Sequence, residues 1–367
     1  MLKQYFFNKT KGPRPLVALL VILTITAVGS YLLAVSHASS PYAAVTGDSG
    51  TVAGGAAKQA CSNASDGNCV VFNGQAATGI TYGTILHPFA TDAPINTPIP
   101  ANPKYTSSTS TVASVGGEFQ GYGWPLYAVN SPLASVTCSQ YCYSPFKAGQ
   151  TTSMPIPSGM KLSTGSDAAA GVVDPSTGQT YELWQASGGG TSWRANGAGS
   201  GNITSSSIIG NATGSNISIF AGTVLLADLN SGVINHALNF AIGTTCSTYV
   251  YPANKSDGHG SSGCIPEGAR VQLDPSVNLS NMTPFEQMIG KAFQVYGAYC
   301  TDTAGNGNQM AVRFEDPVDI GVTGALSAGQ ANYYASHGNI RDSDSSFSDL
   351  NKLPASDWHI LNSWNGQ

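Results

Sequence analysis

From about residue 110 onward, apolar and polar side chains alternate with a period of two, and this predicts strands. In the stretch GVINHALNFAI (232–242), Ile234, His236, Leu238, Phe240 and Ile242 share one face of an extended chain, and Asn235, Ala237, Asn239 and Ala241 share the other. The same pattern marks strands in 219–229, 247–253 and 269–274. The stretch AAAGVVDPSTGQTYELWQA (168–186) reads as a hairpin whose turn uses Pro175 to fix φ and Gly178 to allow a positive φ. One segment switches to helical spacing. Thr283-Pro284-Phe285-Glu286 is a capping box with proline in the first turn, and Phe285, Met288, Ile289, Ala292, Phe293 and Tyr296 follow before Gly297. The expected fold class is mainly β, a β-sandwich or jelly roll with one amphipathic helix packed on a sheet.

The hydropathy of the N-terminal region is of another kind. Residues 1–14 form a basic flank with Lys3, Lys9, Lys11 and Arg14, and 15–35 run without a charge. That run is long enough to span a bilayer as an anchor, and the positive-inside rule keeps the flank cytoplasmic. Ser36-His37-Ala38 also offers a signal-peptidase site, so the expectation is a single-pass membrane protein, or a secreted one if cleaved after Ala38. Residues 36–85 are rich in Gly, Ala and Ser and read as a stalk before an exported domain at 86–367. Prolines at 88, 94, 98, 100 and 103 make 87–105 an extended strap, expected along the surface. The tail at 353–364 carries two tryptophans and is expected to dock.

Charge and cysteine usage sharpen this picture. Only 10% of residues are charged and the net charge is −5, which gives no basic footprint for a nucleic acid. Six of the seven cysteines fall into three sequence-local couples, as loop-closing disulfides of an oxidising compartment do; six cysteines allow 15 connectivities, and proximity in the chain favours Cys61 with Cys69, Cys138 with Cys142, and Cys246 with Cys264. Cys300 reads as an inert buried thiol. No CxxC pair supports zinc, and no metal site is assigned, although Asp167, Asp174 and Asp257 leave room for a structural calcium ion.

With so few ionisable groups, those between 165 and 275 define the candidate site. His236, Glu267, Arg270 and Asp167 are the catalytic candidates, and Trp184, Tyr251, Asp257 and Asn235 the candidate substrate contacts. Arg270 alternates with Ala269 and Val271, so it is expected to face away from the core; His236 reads either as a core histidine or as a base. A glycosidase would use the carboxyl pair Asp167 and Glu267. A uronate lyase would use His236 or Tyr251 as base and Arg270 to neutralise a carboxylate. No nucleophile elbow, His-Glu-x-x-His or Walker loop points elsewhere. The partner expected is a polysaccharide or envelope glycan, processed by a carbohydrate-active enzyme or held by a glycan-binding module through Trp184, Trp193 and Tyr251.

Four stretches carry a resemblance: HAL at 236–238, YPA-x-x-SDG at 251–258, PEGAR-x-x-LDP at 266–275 and YG-x-Y-x-x-D at 296–302. In these, from about residue 87 to the end, the chain resembles a family of uncharacterised exported proteins common in actinobacteria. The resemblance implies one exported domain and sets His236, Glu267 and Arg270 in recurrent motifs; it carries no mechanism. Cys300 stands where that family has an apolar residue.

Overall fold

A computed structural model describes residues 56–60, 68–72, 80–106, 112–118, 121–210, 212–305, 307–316, 350 and 352–367. The expected anchor at 15–35, the expected cleavage site at Ala38 and Cys61, one half of the expected Cys61–Cys69 couple, lie outside the described residues. Among those residues no helix is long and apolar enough to cross a membrane. Strands β1 (Ala56–Ala60) and β2 (Asn68–Phe72) pair with each other.

The rest is mainly β, as the alternating pattern predicts, and is organised around two six-stranded sheets. The first contains β3 (Ser114–Glu118), β10 (Leu238–Ile242), β13 (Arg270–Leu273), β14 (Ala298–Thr303), β15 (Gln309–Arg313) and β16 (Trp358–Ile360), in the order β16-β13-β14-β10-β15-β3. The second contains β4 (Leu126–Ala128), β5 (Leu133–Cys142), β6 (Thr151–Pro155), β7 (Ala170–Val173), β8 (Gln179–Gly189) and β9 (Ser192–Asn202), in the order β4-β7-β8-β9-β5-β6. Strands β11 (Thr245–Tyr249) and β12 (Ile265–Glu267) form a short parallel pair. Both large sheets are mixed: β10 with β14, β15 with β3, β4 with β7 and β5 with β9 run parallel, whereas hairpin-built jelly rolls pair antiparallel.

The predicted hairpin forms as β7 and β8, and Asp174 holds its turn by accepting the Ser176 amide at 2.8 Å. Helix α2 (Pro284–Val295) starts at the predicted capping box, with Thr283 and Glu286 bonding each other's backbone. Its Ile289, Ala292 and Phe293 pack on Val271 and Leu273 of the first sheet, and the Phe293 ring meets Trp358 edge-on at 4.8 Å. The tail docks through the pairing of β16 with β13. The second sheet has its own core, built on Val136, Met154, Leu183 and Trp193.

Three expectations fail. Segment 219–229 forms no strand: Asp228 accepts the Leu225 amide at 2.8 Å and starts the short helix α1 (Leu226–Ser231), which ends at Gly232 with φ 71°. The strand expected over 234–242 begins only at Leu238, leaving His236 in the irregular lead-in. The proline-rich strap is not confined to the surface. Phe89, Ala93 and Ile95 are buried, and Asn96 Nδ2 donates to the Pro88, Phe89 and Ala90 carbonyls, which satisfies a backbone that cannot enter a sheet.

The link from β12 to β13 fixes where the Glu267 side chain lies. Gly268 has φ 84°, its amide bonds the Cys300 carbonyl at 2.8 Å, and a Cβ there would run into the Val250 carbonyl oxygen. Gly268→Ala is therefore expected to lower stability by at least about 2 kcal/mol, measured by urea unfolding. An unchanged midpoint would show that the turn relaxes freely.

Candidate functional site

Three carboxyl groups from three segments converge beside the Gly268 turn. Glu267 ends β12, Asp302 lies on β14, and Asp257 sits in the loop that the Cys246–Cys264 disulfide closes. One oxygen of each lies within 4.8 Å of the others. Glu267 is fully buried, Asp302 half-buried and Asp257 exposed, so the cluster runs from the interior to the surface. The loop is held in place by Ser256, whose hydroxyl donates to the Cys246 carbonyl at 2.7 Å and accepts the Gly258 amide at 3.0 Å. The Thr303 hydroxyl bonds Asp257 Oδ1 at 2.5 Å and lies 3.4 Å from Glu267 Oε1, and the Gly214 amide donates to Asp302 Oδ1 at 3.1 Å.

The environment disfavours negative charge. Burial pushes the Glu267 carboxyl up to about 10, helped by a hydrogen bond and charge from Asp257 and by Asp302, while Lys255 opposes. Asp302 is raised well above its ordinary value by burial and by the charges of Asp257 and Asp167, against the amides of Gly214 and Thr303. Arg313 stands 4.0 Å from Asp302 but is paired closely with Glu118. Glu267 Oε2 is buried with no hydrogen-bond partner.

An aromatic group flanks the acids. Trp184 Nε1 donates to Asp167 Oδ1 at 3.1 Å, and Tyr141 meets the Trp184 ring edge-on at 5.8 Å. Asp167 is raised by burial and by the charge of Asp257, with the Trp184 bond opposing. The Lys255 ammonium lies 5.7 Å from the Tyr141 ring centre and 5.9 Å from that of Tyr143. Tyr141 reaches this position because β5 bulges against β9 between Cys138 and Tyr141, inside the short loop closed by the Cys138–Cys142 disulfide.

Four of the sequence candidates, Asp167, Trp184, Asp257 and Glu267, thus come together. The other four do not join them. Arg270, expected to face solvent, is buried: it donates to the Tyr296 carbonyl at 2.7 Å, the Trp364 carbonyl at 3.0 Å and the Thr97 carbonyl at 2.5 Å, with Tyr299 beneath it. Its alternation fails as a guide because both faces of β13 are covered. His236 is buried, with Nδ1 2.8 Å from the Ala237 carbonyl and Nε2 3.2 Å from Asp228. Burial lowers its pKa, but Asp228 and the Ala237 carbonyl outweigh this and leave it raised. Asn235 adjoins it, half-buried. Tyr251 is exposed and lines a separate groove with Trp364 and Asn362.

Asp302 is absent from the sequence candidates. It lies outside the 165–275 span from which the candidates come, and the signal that could have found it is scarcity, as one of 20 acidic residues in the chain. Cys300 is buried as expected, and burial pushes its thiol up. No family model, curated protein or solved structure matches the chain.

Glu182, two residues before Trp184, is a structural carboxyl. It accepts from the Ser218 hydroxyl and the Ile219 amide, and burial raises it from 4.5 to about 7 against those bonds. Above pH 4.5 the unfolded chain loses this proton while the folded one keeps it. The Glu182 contribution to stability should therefore fall by up to about 3 kcal/mol as pH rises toward 7 and then level off, on top of the loss that Glu267, held up to about 10, adds over the same range and beyond. Urea midpoints across pH 4 to 8 should show this slope, and Glu182→Gln should make it shallower below pH 7; an identical slope in the variant would assign the dependence to the other raised carboxyls.

Proposed function

We propose that the chain is an exported cell-surface protein that holds neutral glycan on the rim made by Trp184, Tyr141 and Tyr143, with Asp167 and Asp257 accepting from sugar hydroxyls. In this reading residues 15–35 anchor the protein or direct its secretion, and 86–367 form a sandwich-like domain of the exported family whose motifs the sequence resembles. The observation that carries it is the junction of Tyr141 (44% exposed), Trp184 and the two carboxyl groups at one place on the surface. Aromatic rings cover the apolar faces of sugars while nearby acceptors fix their hydroxyls.

The charge balance favours neutral sugars. Four carboxyl groups crowd this place beside one ammonium, which is itself set over two tyrosine rings, so little is left there to pair a uronate. The lyase reading loses its support, since Arg270 spends its donors on backbone carbonyls and His236 is paired with Asp228. A hydrolase remains the second reading on one observation: Asp167, raised by burial, interacts with the exposed carboxyl of Asp257, as an acid and its partner would.

Retention of the full-length protein on neutral polysaccharides in affinity electrophoresis tests the proposal. Trp184→Ala should weaken retention about tenfold or more, and Tyr251→Ala should leave it unchanged. No retention by any neutral polysaccharide would refute glycan binding. New reducing ends that vanish in Asp167→Asn would establish the hydrolase instead.

A further inference from the structure

We propose that Asp257, Glu267 and Asp302 form a binding site for a hard divalent cation of the calcium class. The argument rests on donor type, span and an unmet oxygen, and is independent of any glycan on the rim. All three donors are carboxylate oxygens, the ligands that calcium prefers. Two oxygens on opposite sides of calcium lie up to about 5.2 Å apart, while magnesium allows only about 4.2 Å. The three oxygens lie within 4.8 Å of one another, inside the calcium limit.

Glu267 supplies the independent observation. It is fully buried at the base of the cluster, and its Oε2 has no hydrogen-bond partner. Buried carboxylate oxygens are ordinarily bonded, so this one marks a place where a ligand fits. Gly214 leaves the space clear: a Cβ there would lie 2.7 Å from both Asp257 Oδ1 and Asp302 Oδ1. Neither neighbouring cation fills the position, because Arg313 is paired with Glu118 and Lys255 is held over two tyrosine rings. Exposed Asp257 provides the entry route, and positions on its side stay open to water.

The full-length protein, stripped with a chelator, should bind one calcium per chain in a calorimetric titration, with Kd between about 10⁻⁵ and 10⁻³ M, and should bind magnesium at least tenfold more weakly. Thermal unfolding should shift upward in calcium. Glu267→Gln and Gly214→Ala should each weaken binding tenfold or more. Should either fail to fold, Asp257→Asn, on the exposed loop, carries the same expectation. Folded wild type that binds no calcium at about 10 mM, or variants that bind as wild type does, would overturn the proposal. The titration contains no sugar, so its failure would leave the glycan reading to its own assay.

Discussion

The constraint on which the site depends is the burial of Glu267 next to two other carboxyl groups, with no cation bonded to it. A carboxylate away from water carries a penalty of several kcal/mol unless it is paired or neutralised. The side chain cannot swing out to relieve this, because the backbone fixes its position. Gly268 turns the chain straight after it, the Gly268 amide and the Ala269 carbonyl both bond Cys300, and Asp302 follows two residues along the same strand. The Cys246–Cys264 loop then brings Asp257 to the opening. Protons or a cation must balance the charge, and either makes the cluster chemically responsive.

Several other buried charges are paired or hydrogen-bonded where they stand. Arg270 is saturated by three carbonyls, His236 is paired with Asp228, Arg313 with Glu118, and Glu182 is held by Ser218 and Ile219. These groups join distant parts of the chain: Arg270 helps tie β13 to the proline-rich segment and to the C-terminal tail. Their role is to hold segments that lack regular hydrogen bonding, such as 87–105 and 361–367, against the sheets. This contrast separates the carboxylate cluster from the structural polar groups in a chain with few charges of either kind.

Much of the framework was legible in the sequence because it depends on local rules. The Asp174–Gly178 turn, the Thr283 capping box and the two described disulfides are each encoded within a few residues. The site was half legible. Asp167, Trp184, Asp257 and Glu267 were visible as scarce polar groups in a β region, but their meeting with Asp302 depends on β14 lying next to β13, with helix α2 in between along the chain. Alternation misled at His236 and Arg270, since it reports a strand face and not what covers that face. The run at 219–229 looked like a strand because its apolar residues are buried, yet Asp228 and Gly232 enforce a helical turn.

The central claim is that an unmet, cation-accepting position lies between Glu267, Asp257 and Asp302. An anomalous difference map from a terbium-soaked crystal tests it most directly. The account predicts one peak about 2.3–2.6 Å from an oxygen of each of the three residues. A map with no peak there, and Glu267 Oε2 bonded to a lysine, an arginine or a backbone amide, would contradict it.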